Sequence, residues 1–220
     1  MKELIRNYYP DDWPPEDYKV NHLEANRKQL ENLKALIGDN ASETKIENFL
    51  KTNKNILANI LRLLNTGNQG AWNIPKQVVR PHGPHNQKGH IPDYILGGLS
   101  SNGLEWYVLE LKGANQKILK ETNNILCFSS DANKAICQVI EYIDYCTEAQ
   151  AYLRDTLKLK DFREPKGLIL IGRETEFSND NRREKFKSAW NRFMKHKIEI
   201  RTFDSLLREV ESIVNCTEKR

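Results

Sequence analysis

The stretch IPDYILGGLSSNGLEWYVLELKG, residues 91–113, decides the fold because two apolar runs in it flank a turn signal. Each run is long enough for a buried strand, and Ser-Asn-Gly favours a tight reversal between them. Folding the runs back between Ser101 and Asn102 makes the numbers of facing residues add up to 203. We therefore predict an antiparallel hairpin in which Asp93 faces Glu110.

The charged side chains of this hairpin are expected to share one face of the sheet. Side chains alternate along a strand, so Glu110 and Lys112 point to one face and Leu111 points to the other. Opposed carboxylates have β-carbons about 4.5–5.5 Å apart and repel each other unless a positive charge lies between them. A divalent cation would supply that charge, and Mg²⁺ prefers carboxylate, water and phosphate oxygens. The pattern predicts a metal site in which Lys112 orients water or stabilises developing charge.

A simpler interpretation of the same residues stays open at this point. Asp93 could begin a strand while Glu110 forms an ion pair with Lys112 on a solvated sheet edge, which is a common arrangement. The spacing of these three residues is easily met by chance, so the hairpin alone does not decide between the two interpretations.

The rest of the chain alternates between helical and strand patterns, which is typical of an α/β sandwich around a mixed sheet. Apolar spacing predicts helices over 20–37 and 42–64, the second broken near Asn53 and preceded by Asn40 as a capping residue. The later predictions, in chain order, are a strand over 72–80, a loop over 81–90, a helix over 131–153, a strand over 166–172, a basic helix over 180–196, a strand over 197–203 and a closing helix over 204–214.

Composition favours one core domain in a soluble protein. The chain has 220 residues and a formal charge of +4, but its first 40 residues hold six Lys or Arg against eight Asp or Glu. The basic remainder permits an anionic partner such as nucleic acid. Four cysteines without C-x-x-C spacing are expected to be small core residues in a reducing compartment. No secretory leader and no run of about 18 apolar residues is visible, so we expect a cytoplasmic protein that does not enter membranes.

Several pieces of the sequence resemble one known family. IPDY followed by VLELKG is similar to the PD-(D/E)xK nuclease motif. ETKIENFL, QVIEY, KGLILIGRE and IEIRTFDSLLREV resemble the nuclease domain of Shedu anti-phage defence proteins over about residues 41–212. GLILIGR and IRTFDSLL are specific to that family, whereas Pro-Asp and Glu-x-Lys are generic. Family members often carry a longer N-terminal region than the arm of this chain.

The resemblance implies a restriction-endonuclease-like α/β/α sandwich with a central mixed sheet, plus a short N-terminal arm and helix. Residues 1–40 would form the arm and helix, and residues 41–220 the PD-(D/E)xK nuclease domain. The implied enzyme hydrolyses DNA phosphodiester bonds in anti-phage defence. Its metal cofactor would be Mg²⁺, which Mn²⁺ could replace. Alternatives are a DNA repair or junction-cleaving nuclease of the same fold, and a catalytically silent DNA-binding or assembly module.

The resemblance also implies roles for individual residues. Asp93 and Glu110 would ligate the metal, and Lys112 would be the catalytic lysine. Glu43 would complete the metal site, with Glu47 one turn further on as its substitute. Gln138 and Tyr142, four residues apart, would support the site next to the lysine and the phosphate. From the residues alone, Glu43 could instead be the carboxylate of a capping box with Asn40, and Gln138 and Tyr142 could be ordinary helix surface.

The predicted loop before Asp93 is basic and is expected to contact DNA. Arg80, Lys88 and His90 are its candidate phosphate contacts, which would carry affinity without reading sequence. A zinc site built from His82, His85 and His90 fits no usual structural pattern. The apolar stripe of the helix over 20–37 must be buried in the chain or in a second copy. Together with the resemblance, this stripe predicts a homo-oligomer, a dimer or a tetramer.

Overall fold

The structure is a computed structural model that describes residues 9–77, 79, 90–194 and 197–219. The eight strands are β1 (Lys19–Val20), β2 (Gly70–Pro75), β3 (Tyr94–Ser100), β4 (Gly103–Leu111), β5 (Leu119–Thr122), β6 (Ile125–Phe128), β7 (Lys166–Leu170) and β8 (Ile198–Arg201) in these residues. The α-helices in the same residues are α1 (Arg27–Gly38), α2 (Glu43–Thr52), α3 (Lys54–Ala58), α4 (Ile60–Leu63), α5 (Ser130–Glu148), α6 (Gln150–Asp155), α7 (Asn181–Phe193) and α8 (Phe203–Thr217).

Six of these strands form one mixed sheet in the order β1-β2-β3-β4-β7-β8. The first four are antiparallel neighbours, whereas β7 runs parallel to both β4 and β8. The strands β5 and β6 form a separate hairpin. The expectation of a mixed sheet in an α/β protein is therefore confirmed.

The hairpin of β3 and β4 has the register predicted from its turn. Tyr94 pairs with Leu109 and Ser100 with Gly103, so the numbers of paired residues add up to 203. Gly97 is required because an added β-carbon would lie 2.7 Å from the ring of Trp106 on the facing strand. This register places Asp93, which directly precedes β3, beside the end of β4.

Two apolar cores lie on opposite faces of the sheet. Alternate residues of β4 divide between them, with Leu109 and Leu111 in one core and Trp106 and Val108 in the other. Helices α1 to α4 and α8 contribute to the first core, and helices α5 and α6 contribute to the second. Glu110 and Lys112 therefore belong to the face that α5 covers.

The N-terminal part of the chain joins the sheet and the first core. The predicted helix over 20–37 is wrong in its first turns, because Val20 pairs with Ala71 at the sheet edge and α1 begins only at Arg27. The apolar stripe of α1 is completely buried within the chain, mainly against α8. Within the described residues, Trp72 donates a hydrogen bond of 2.8 Å to the Tyr9 hydroxyl and so fixes the aromatic arm.

Other predictions need smaller corrections. The helix over 42–64 divides into α2, α3 and α4, with the expected break at Asn53. Ser42, not Asn40, is the residue before α2, and no side chain caps that helix. The β5–β6 hairpin was not predicted. Of the four cysteines, only Cys146 is buried, so the expectation of four core cysteines is wrong. The predicted loop over 81–90 lies outside the described residues except for His90.

Candidate functional site

The candidate site lies where β4 ends beside the start of β3. The Asp93 carboxylate accepts a hydrogen bond of 2.9 Å from the backbone N–H of Leu111, which ties the two strands together at this point. The Leu111 side chain is fully buried in the opposite core. The structure thus brings Asp93, Glu110 and Lys112 together, as the register predicts.

Lys112 connects the two glutamates of the site. Its amine donates a hydrogen bond of 2.6 Å to Glu110 and lies 3.9 Å from the Glu43 carboxylate. Gly113 lets the chain pass close to the start of α2, because an added β-carbon there would collide with the Asn115 side-chain oxygen and lie 3.1 Å from the backbone nitrogen of Glu43. The side chains of Glu110 and Lys112 are only 5% and 10% exposed, so their ion pair is buried and not the solvated pair of the simpler interpretation.

Burial and mutual repulsion disfavour charge on all three acids. Burial, and then the charge of Asp93, raise the pKa of Glu110 to about 7. Burial also raises the pKa of Asp93 and that of Glu43. Burial alone would lower the pKa of Lys112, but the bond to Glu110 and the neighbouring carboxylates raise it on balance. Titratable groups with such perturbed pKa values at one point are characteristic of functional sites.

Helix α5 supplies a polar contact from above the sheet. The Tyr142 side chain is buried and its hydroxyl accepts a bond of 3.4 Å from Gln138. Burial, and then the nearby charge of Glu110, raise the pKa of this hydroxyl. The side-chain oxygen of Gln138 is buried and has no partner among the described residues. Gln138 therefore reaches the site through Tyr142, and its free oxygen provides an additional acceptor beside it.

Glu47, the substitute for Glu43, is engaged elsewhere. Its carboxylate lies 2.6 Å from the Lys76 amine and 3.2 Å from that of Lys51. Its pKa is lowered because these hydrogen bonds together outweigh the burial that opposes them. Glu43, which is 42% exposed and faces Lys112, is the freer carboxylate of the two.

The donor set fits a hard divalent cation in its chemistry. The site holds the buried carboxylate of Glu110, the half-buried carboxylates of Asp93 and Glu43, and the unpartnered amide oxygen of Gln138, all of which are oxygen donors. As the side chains stand, no group of three His, Cys, Asp or Glu among the described residues is arranged to hold a metal ion. Glu110 would have to exchange its bond to Lys112 for a bond to the ion.

The predicted DNA contacts are only partly described. His90 lies beside α5, where it stacks on Tyr145 at 4.3 Å and approaches the Glu141 carboxylate to 3.5 Å. Arg80 and Lys88 lie outside the described residues, as do His82 and His85 of the zinc alternative.

Sequence reasoning missed two lysines around the site. Lys76 follows β2 with a positive φ of 44°, and its backbone N–H donates to the Asp93 carbonyl at 2.9 Å. Lys134 lies on α5 one turn before Gln138 and is close enough to oppose the rise that burial causes in the pKa of Glu43. The spacing of Lys134, Gln138 and Tyr142 by four residues was a usable signal for the second lysine.

Comparison with known proteins identifies the family of this chain. The family model described as Shedu protein SduA, C-terminal, matches residues 40–207. The chain therefore belongs to the Shedu family, and this membership implies a part in anti-phage defence. A search of curated proteins gave no match. In the described part of the chain, no helix is long and apolar enough to cross a membrane.

Proposed function

We propose that this chain is a metal-dependent DNA endonuclease with a restriction-endonuclease-like fold, acting in anti-phage defence. The observation that supports this most is the buried Glu110, held between the charge of Asp93 and the amine of Lys112. Family membership and the mixed sheet with a core on each face agree with the proposal.

The roles of the residues follow from their positions. Asp93 and Glu110 would hold Mg²⁺ or Mn²⁺, and Glu43 would complete the site. A bound divalent ion activates water and neutralises charge on a phosphate. Lys112 carries an ammonium with three donors, which can donate to the attacking water or to a phosphate oxygen. Tyr142 lies close enough to Glu110 for the charge of that carboxylate to act on its hydroxyl, which would donate to the carboxylate and hold it in place.

A cleavage assay tests the proposal. Supercoiled plasmid, linear duplex and single-stranded DNA are incubated with the purified protein and Mg²⁺, Mn²⁺ or EDTA. We expect cleavage with either metal and none in EDTA or with Lys112→Ala. A folded protein that cleaves none of these substrates with either metal, or that cleaves as well after Lys112→Ala, would contradict the proposal. A four-way junction in the same assay separates the repair-type alternative by its preference for branched DNA.

Assembly into a homo-oligomer is part of the proposal, although the apolar stripe that helped to predict it from the sequence no longer supports it. The stripe on α1 is buried in its own chain, so it does not call for a second copy. Two sites facing opposite strands would still be needed for double-strand cleavage in one event. Light scattering tests this: we expect a dimer or tetramer, and a monomer mass at all concentrations would leave nicking as the activity.

A further inference from the structure

A cleft beside the candidate site has cationic side chains but no acidic side chain in its lining. It has a volume of about 600 Å³ and lies between the β5–β6 hairpin, the start of α5 and the side of α7. Its lining includes Lys120 and Lys134 and no carboxylate. Four other clefts in the described part of the chain each include at least one Asp or Glu in their lining.

The floor of this cleft is aromatic and fixed in position. Phe128 and Phe186 line it, and both are half-buried. Their ring centroids lie 5.6 Å apart in an edge arrangement, and Trp190 supports Phe128 from a distance of 4.8 Å. Arg182 bonds to Glu121 and to a carbonyl of the hairpin, so the hairpin wall is tied to α7. A ring held in this way can stack without first being ordered.

One row of side chains on α5 leads from the cleft toward the candidate site. Lys134 lines the cleft and also acts electrostatically on Glu43. Gln138 and Tyr142 continue the same row at intervals of four residues and end at Glu110. A DNA strand whose phosphate lies at Glu110 therefore has a cationic and then aromatic surface beside it.

We propose that this cleft binds an unpaired nucleotide of the DNA strand next to the cut, with its base on Phe128 and its phosphates on Lys120 and Lys134. Sequence-tolerant binding of single strands combines this pair of features, cations along the backbone and aromatic rings under the bases. The inference rests on the proposed function, because it takes DNA to be the substrate. It adds that the enzyme favours DNA with unpaired nucleotides beside the cleaved bond, such as a frayed end or a single-stranded tail.

Binding measured without cleavage tests the inference. Fluorescence anisotropy in EDTA compares a labelled single strand, a blunt duplex and a duplex with a single-stranded tail, each at several salt concentrations. Phe128→Leu keeps apolar volume but removes the ring, so it should weaken binding to the single strand and the tailed duplex by about fivefold or more. Phe128→Tyr keeps the ring and should bind as the natural protein does. Lys120→Ala with Lys134→Ala should flatten the salt dependence for the single strand by about 1.4 in slope.

A matched control and three outcomes make the test decisive. Lys28 and Lys158 are exposed and lie outside the lining of this cleft, so their double alanine variant controls for lost charge. Equal losses in the control and the cleft lysine variant would overturn the inference, as would a Phe128→Leu variant that is folded by circular dichroism and loses nothing. In both cases the nuclease proposal would stand. Failure of the natural protein to bind any DNA would instead contradict the proposed function itself.

Discussion

Two charged clusters lie at the carboxyl ends of neighbouring parallel strands, and they differ in how well their positive and negative charges are paired. Beyond β7 and β8, Arg173 bonds to Asp204 at 3.0 Å, and Arg208 donates two bonds of 2.7 Å to Glu174. The pKa of Glu174 is lowered, first by the bonds from Arg208. At the end of β4, by contrast, Glu110 has one lysine and a repelling carboxylate beside it, and its pKa is raised to about 7.

The difference distinguishes a structural network from the candidate functional site. In the β7–β8 cluster the two arginines and the two acids named above form two ion pairs, so these four charges balance without a bound ion. In the β4 cluster the acids outnumber the cation within bonding distance, so the folded chain bears a cost that a bound cation would relieve. Proteins retain such locally unfavourable arrangements at functional sites. Substitutions in the two clusters should therefore have opposite effects on activity and stability.

The largest expected contrast is in cleavage. Lys112→Met keeps the apolar stem but removes the ammonium, and it should lower the rate of plasmid cleavage about 10³-fold. Arg208→Met makes the matched change in the β7–β8 cluster and should leave the rate within about twofold, because an exposed pair contributes little. Initial rates at saturating Mg²⁺ measure both. Equal losses in the two variants would remove the distinction between the clusters.

A second, smaller contrast lies within α2. Glu43→Gln should lower the cleavage rate about 10- to 100-fold, which is typical when a supporting group of a metal site is lost. Glu47→Gln should change it less than about threefold, because Lys76 and Lys51 already neutralise that carboxylate. The same rate assay decides between them, and the reverse order would make Glu47 the acid that completes the site.

The β7–β8 cluster should respond in stability instead. Asp204 accepts bonds from the Arg173 guanidinium and from the backbone N–H of Glu174, and its side chain is only 17% exposed. Asp204→Ala should therefore lower the free energy of unfolding by about 2 kcal/mol, because both donors lose their acceptor. Urea denaturation measures this. Cleavage per folded molecule should stay unchanged, and a large loss of activity at full stability would assign the cluster a functional role.

The sequence predicted the parts of the molecule that local chemistry controls. The hairpin register followed from its turn, and the register in turn predicted that Asp93 lies beside Glu110. Helical periodicity failed at Val20, which fits a helix by spacing but pairs with Ala71 in the sheet. Tertiary pairing overrides propensity in this way at element ends.

The remaining features of the site depend on contacts between distant segments. Tyr142 reaches Glu110 only because α5 crosses that face of the sheet, and no spacing within the chain encodes this crossing. Lys76 lies in a left-handed turn without glycine, and its contact with Glu47 is made across the fold. The β5–β6 hairpin was missed because its short strands show little apolar alternation.

The imbalance of charge at the end of β4 is tested most directly by the stability of Asp93→Asn. Asparagine can still accept the bond from Leu111, but it removes the charge that repels Glu110. The pKa values of Asp93 and Glu110 are raised by folding, so the folded state binds protons more tightly and loses stability as pH rises from about 4 through 7.

Thermal unfolding in EDTA and in Mn²⁺, at pH 5 and pH 8, makes this measurement. In EDTA at pH 8 the Asp93→Asn variant should be more stable than the natural protein by about 1 kcal/mol, and less so at pH 5. Mn²⁺ should stabilise the natural protein and not the variant, so that in Mn²⁺ at pH 8 the natural protein becomes the more stable of the two. An Asp93→Asn variant that unfolds at a lower temperature in EDTA at pH 8, with no effect of Mn²⁺ on either protein, would contradict the account.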